Sequence, residues 1–163
     1  MIIVMSDTQW LSSDEREAWL ALVSVMFKTP GTIERQLVED SGLSFAEYLV
    51  LAILSEAPDR RRRMSDLAAA TYTAQSRLSR IVTRLEAQNL VERYGDGGDK
   101  RVVVATLTDR GMERVEAAAP GHVAHVRNAV FDKLSAQQVR QLATICQTLA
   151  GASDQGKVEA SQA

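Results

Sequence analysis

The sequence predicts a mainly α-helical fold with one small β-hairpin set between flanking helices. Three observations predict it. Apolar residues recur at helical spacing behind three capping-box signatures, Ser12-x-x-Glu15, Ser44-x-x-Glu47 and Ser135-x-x-Gln138. The pattern switches once, to β-branched runs on either side of a glycine-rich loop. Directly before that switch stand two helices with a very short turn between them. Helix, turn, helix, β-ribbon is the order of a winged helix-turn-helix, and the remaining helices suit a dimerisation region.

The first helix opens at Ser12, where each side chain of the box can satisfy a free backbone N–H, and carries Trp19, Leu22, Val23, Met26 and Phe27 at helical spacing. Pro30-Gly31 is expected to kink or interrupt it, because proline has no N–H to give. A second stretch, Thr32 to about Ser41, should turn Ile33, Leu37 and Val38 inward and end at Gly42. Ser44 opens a helix through Tyr48, Leu51, Ala52 and Leu54 that stops before Pro58. The run Arg60–Arg63 reads as a solvated loop. After it, Ser65 is expected to cap a short helix (Asp66–Tyr72, with Leu67 and Ala68 inward), and Thr73 to cap the next, which runs to about Gln88. Leu78, Ile81, Val82 and Leu85 in that helix follow the i, i+3, i+4, i+7 rule. Asn89 suits a left-handed helix end.

Leu90–Tyr94 and Arg101–Leu107 flank Gly95-Asp96-Gly97-Gly98-Asp99-Lys100 as a hairpin. Thr108 can cap a long helix from Asp109 to about Leu134, interrupted at Pro120-Gly121. Behind Ser135 a last helix carries Val139, Leu142, Cys146 and Leu149 on one face, with Gly151 at its end. Ala152–Ala163 is small and polar and is expected to fray. The resulting division is residues 1–43 (N-terminal dimerisation helices), 44–108 (winged unit), 109–151 (C-terminal dimerisation helices) and 152–163 (tail).

At 163 residues, 45% apolar and 25% charged, the chain can bury a core as one domain per protomer. No stretch approaches the roughly 20 apolar residues that cross a bilayer. Met1–Met5 is apolar but has no basic flank, long apolar region or cleavage site, so it does not read as a signal peptide. The single cysteine, Cys146, excludes an intramolecular disulfide and fits a reducing cytoplasm. A net charge of −2 argues at first sight against nucleic acid. Its distribution reverses that impression. Between Arg60 and Arg110 there are 11 Lys+Arg against 6 Asp+Glu, whereas the rest of the chain holds 8 against 15. A basic middle between acidic arms localises attraction for phosphate.

Burying Leu78, Ile81, Val82 and Leu85 turns Arg77, Arg80 and Arg84 outward, with Gln75, Ser76, Ser79 and Thr83 beside them and Thr73 at the helix start. Guanidinium groups fork onto guanine or pair with phosphate, and short hydroxyls bond phosphate without holding the helix off the groove. An ordinary solvated face would mix charges. Here Glu86 is the only acid between Gln75 and Asn89, and it lies off the stripe. The glycine-rich loop is not a Walker loop, because Lys100 precedes Arg101 and another strand rather than Ser or Thr and a helix. It reads as a wing whose Lys100 and Arg101 reach an adjacent minor groove.

These residues also resemble a known family. Asp99-Lys100-Arg101, followed by Ala105-Thr106-Leu107-Thr108, resembles the D-x-R…L-T wing signature of the multiple-antibiotic-resistance regulator (MarR) family. Arg84-Leu85-Glu86-Ala87-Gln88-Asn89-Leu90-Val91-Glu92-Arg93 is similar to that family's R-L-E-x-x-G-L-V-x-R, with Asn89 in place of the usual glycine. The resemblance spans about Ser12 to Gly151. It implies a homodimer built from the terminal helices that binds a palindromic double-stranded operator. It further implies a repressor whose affinity changes on binding a small molecule, for which an apolar or aromatic effector is expected. In the matching wing, Asp99 would orient Arg101, which enters the minor groove.

The apolar faces of the terminal helices are too many for a small winged domain to cover, which independently favours a second copy as partner. His122 and His125 stand i, i+3 on one helix, a spacing that can chelate zinc, but no carboxylate or cysteine cluster joins them. Neither a metal nor another cofactor is expected. Cys146 reads as a packing thiol. Trp19, Phe27 and Tyr48 read as core rather than as the lining of an effector pocket. Two alternatives to a DNA-binding regulator stand beside it. A winged-helix module for protein–protein assembly would not need the cationic stripe. An enzyme would need a nucleophile elbow, a metalloprotease motif or an acid/base constellation, none of which the sequence offers.

Overall fold

Local chemistry sets the helix starts. Ser12 with Glu15, Ser44 with Glu47 and Ser135 with Gln138 each form a reciprocal capping box, and the Thr108 hydroxyl accepts from the Gly111 N–H. In the computed structural model, which describes residues 8–96 and 99–151, the helices are α1 (Ser13–Ser41), α2 (Phe45–Ser55), α3 (Met64–Ala70), α4 (Gln75–Ala87), α5 (Asp109–Ala129) and α6 (Ala136–Leu149). The strands are β1 (Arg61–Arg63), β2 (Val91–Asp96) and β3 (Asp99–Leu107), in the antiparallel order β1-β3-β2. This is a mainly helical winged helix-turn-helix with a three-stranded sheet. The expected tail, residues 152–163, lies outside the described residues.

Several expectations need correction. Neither proline breaks its helix: α1 runs through Pro30 and α5 through Pro120. Each proline removes one N–H. The α1–α5 seam holds the flanking turns together, from Val25 and Thr29 beside Ala129 to Gln36 and Asp40 beside Gly121. Leu37 is buried as expected, but Val38 is exposed. α5 ends at Ala129, and a 3-10 turn at Phe131–Lys133 leads into α6.

The start of α3 is set by Arg63, and the Ser65 hydroxyl bonds the Asp66 carboxylate instead of capping. Thr73 does not cap α4 either. Its N–H donates to the Ala68 carbonyl and its hydroxyl to the Thr71 carbonyl, so it closes α3 and leaves Ala74 at the N-cap. The arginine run is not a loop throughout. Arg61, Arg62 and Arg63 pair with Thr106, Ala105 and Val104 as the third strand.

The core lies under the winged unit, where Leu37, Leu43, Leu51, Leu54, Leu67, Leu78 and Leu85 are all fully buried. The terminal helices contribute far less. α6 buries none of its residues within the protomer, and Trp19, Leu20, Val25 and Phe27 of α1 are exposed. Of the three aromatics expected in the core, only Tyr48 lies there. Cys146 is exposed rather than packed, so its position on an apolar face does not give it cover inside the protomer. Helical periodicity identifies an apolar face but not what covers it.

α5 meets the winged unit at Gly111, where an added Cβ would lie 2.1 Å from the Leu90 carbonyl oxygen and 2.6 Å from Leu107 Cδ1. The first neighbour is backbone and cannot swing away. Gly111→Ala is therefore expected to destabilise the fold by about 3 kcal/mol, read as a lower urea midpoint with an unchanged slope. An unchanged midpoint would refute this packing.

Candidate nucleic-acid interface

α4 has two distinct sides. Leu78, Ile81, Val82 and Leu85 are buried, and Gln75, Ser76, Arg77, Arg80, Thr83 and Arg84 are exposed, with Ser79 half-buried at the margin. The turn before α4 includes Tyr72 at φ +50°, a left-handed residue whose side chain is exposed. The α4 members of the sequence-derived set thus share one side of the helix, whereas Thr73 is half-buried and turned back onto α3. Arg77 and Arg80 have no hydrogen-bond or ion-pair partner among the described residues, so their full donor capacity faces outward.

Arg84 differs from its two neighbours. Its Nε donates to Glu47 Oε1 at 2.9 Å, and Glu47 is the buried N3 residue of the α2 capping box. The other carboxylate oxygen accepts from the Ser44 N–H at 2.9 Å and the Ser44 hydroxyl at 2.8 Å. Burial raises the Glu47 pKa, but the hydrogen bonds from Arg84 and Ser44 and the Arg84 charge outweigh it, leaving the carboxyl below its ordinary value. One carboxylate therefore caps α2 and anchors the far end of α4. Its partner lies 37 residues away, beyond the reach of any local motif.

A second tie was also missed by the sequence reading. Arg93 on β2 contacts Ser79, Thr83 and Glu86 of α4. Beside it, a groove of about 410 Å³ runs between the start of α3, α4 and the sheet, lined by Ser65, Gln75, Ser79, Arg93 and Val103. The strands β2 and β3, which pair antiparallel as the hairpin pattern predicted, adjoin this groove. The side chains of Asp99, Lys100 and Arg101, and the loop residues 97–98, lie outside the described residues.

Away from this surface, the His122 ring packs on Tyr48 at 4.4 Å and near Phe45 at 6.1 Å. Burial first, and then the neighbouring His125 charge, lower its pKa. Its Nδ1 and the His125 Nε2 are buried without a partner among the described residues. No group of three or more His, Cys, Asp or Glu among those residues is placed to hold a metal ion.

Comparison with known proteins bears on this geometry. The sequence model of the MarR family matches residues 41–102. Sco3205 from Streptomyces coelicolor, a MarR family transcriptional regulator solved in complex with DNA, is 37% identical to this chain. Its TM-score is 0.87, over 91% of this chain and 93% of its own. The chain belongs to the MarR family. AbsC, another MarR family regulator from Streptomyces coelicolor, is also 37% identical, with a TM-score of 0.84 over 89% of this chain and 97% of its own. The transcriptional repressor YetL of Bacillus subtilis (strain 168) is 26% identical over 122 residues, 75% of this chain and 72% of that protein. As a member of the MarR family, the chain is a transcriptional regulator.

The Glu47 tie has a pH signature. Because its carboxyl sits lower in the folded protein than in the unfolded chain, its stabilisation is present at neutral pH and is lost as pH falls through the folded value, below the ordinary carboxylate range. Glu47→Gln is expected to cost about 2 kcal/mol at pH 7. The gap from wild type should narrow at pH 3, measured by paired denaturation curves. A gap that does not change with pH would show that the carboxylate charge contributes nothing.

Proposed function

We propose that the chain acts as a homodimer that binds a palindromic operator in double-stranded DNA with sequence preference. The observation that carries this reading is the outward face of α4, where Arg77 and Arg80 stand exposed and uncommitted in a MarR-family chain. Arg80, at the centre of the face, reads a guanine in the major groove; Arg77, Gln75 and Ser76 flank it; Arg84, held by Glu47, meets phosphate at the rim. Lys100 and Arg101 of the wing contact the adjacent minor groove, with Asp99 orienting Arg101. The DNA-bound state of Sco3205, at 37% identity, supports the reading. A protein-only assembly module would leave the cationic face unexplained.

Residues 1–43 and 109–151 form the dimerisation region around the winged unit 44–108 in this reading. The exposed apolar residues of α1 and α6 support it, because a second copy would cover them. The regulator represses, as the relative YetL is named to do, and releases DNA when an apolar or aromatic effector prefers a dimer with wrongly spaced recognition helices. It carries out no reaction of its own and works in the cytoplasm; no helix of the described residues is long and apolar enough to cross a membrane.

Selection from random duplexes is expected to recover a palindrome, and sedimentation at micromolar concentration to give twice the chain mass. Arg80→Ala should lose about 1–3 kcal/mol per site, concentrated on one base position in each half-site. Arg101→Ala should weaken binding across many sequences and flatten its salt dependence, with the preferred major-groove bases unchanged. An operator library probed at two salt concentrations separates the two. Intact affinity and base preference in Arg80→Ala would overturn the assignment of α4.

A further inference from the structure

Arg93 lies on β2 opposite the buried Ala105 of β3, on the face of the sheet turned toward the helices. Its half-buried guanidinium donates to Ser79 Oγ at 3.4 Å and Thr83 Oγ1 at 3.1 Å, and it pairs with the Glu86 carboxylate. These three acceptors occupy i, i+4 and i+7 on one stripe of α4. A planar fork of five N–H donors can serve all three at once, whereas an ammonium at the end of a flexible stem cannot hold the same geometry.

The Thr83 hydroxyl has its proton committed, whereas Ser79 Oγ serves Arg93 as an acceptor. Thr83 Oγ1 donates its one proton to the Ser79 carbonyl at 2.9 Å, leaving only lone pairs to offer. A phosphate oxygen needs a donor, so Thr83 is spent as a phosphate ligand and is matched instead to Arg93. Two residues that the sequence places on the DNA stripe are therefore engaged inside the protein. Arg77 and Arg80, by contrast, are engaged nowhere among the described residues.

We propose that Arg93 is a positioning residue that fixes the wing to the recognition helix, so that both reach DNA as one unit, and that Ser79 and Thr83 serve this tie rather than phosphate. The inference rests on the DNA-binding reading above. It adds a specific energetic claim. The contributions of Arg93 and of the two hydroxyls are not independent, because they belong to one interaction.

The test uses the full-length protein and a selected operator. Arg93→Ala, the double variant Ser79→Ala/Thr83→Val, and the triple are compared, with Arg93→Lys as the conservative replacement. Arg93→Ala and the double variant are each expected to weaken operator binding by about tenfold, and the triple to weaken it no further than Arg93→Ala alone. Arg93→Lys should recover only part of the loss. In the absence of DNA, amide exchange in β2 and β3 should accelerate in Arg93→Ala while α1 and α5 keep their protection. If the hydroxyl substitutions cost the same with and without Arg93, they contact DNA and the proposal is wrong. Unchanged exchange in β2 and β3 would overturn the tie whatever the DNA result. A wild-type protein that binds no duplex would sink the DNA reading, and the exchange measurement would still decide the tie.

Discussion

Everything at the proposed DNA surface depends on the burial of one side of α4. Leu78, Ile81, Val82 and Leu85 are worth roughly 2 kcal/mol each when removed from water, or about 8 kcal/mol together. No polar contact on the helix approaches that sum. A charge-assisted hydrogen bond such as Arg84 to Glu47 contributes about 2 kcal/mol. The apolar stripe therefore decides where α4 lies and which side faces out. The polar ties decide finer matters. Glu47 fixes its C-terminal half against α2, and Arg93 fixes its flank against the sheet. This division leaves Arg77 and Arg80 without internal duties.

Much of this was legible from the sequence because its causes are local. A capping box is four residues long, and all three formed where the spacing put them. The stripe of α4 and the left-handed Asn89 at its end are equally local, and both are found. What stayed hidden was non-local. β1 is three arginines whose extended shape is defined only by the partner strand β3. Pro30 and Pro120 carry a strong local signal for a break, and packing between α1 and α5 overrides it. Thr73 has the composition of an N-cap but is drawn back to close the preceding helix. At the site, the sequence supplied the cationic stripe but could not rank its members. That ranking comes from Glu47 and Arg93, which stand elsewhere in the chain.

Two ends of the molecule follow different rules. The winged unit is closed, with its leucines buried and α5 seated on it through the close contact of Gly111 with the Leu90 carbonyl. The far ends of α1 and α6 are open, exposing Trp19, Phe27, Ile145 and Leu149. Amphipathic helices without cover draw little stability from their own propensity, which is weak over 14 residues. In the proposed dimer, their order derives from the second copy.

That openness links structure to supply. A helix that is ordered by association obeys mass action, so its stability rises with the concentration of the chain itself. Below the dissociation constant, the number of paired winged units falls with the square of the number of chains. If the proposed homodimer is the binding form, a cell that halves its content of this protein then loses about three-quarters of those dimers, and promoter occupancy responds to dosage more steeply than one chain per operator would allow.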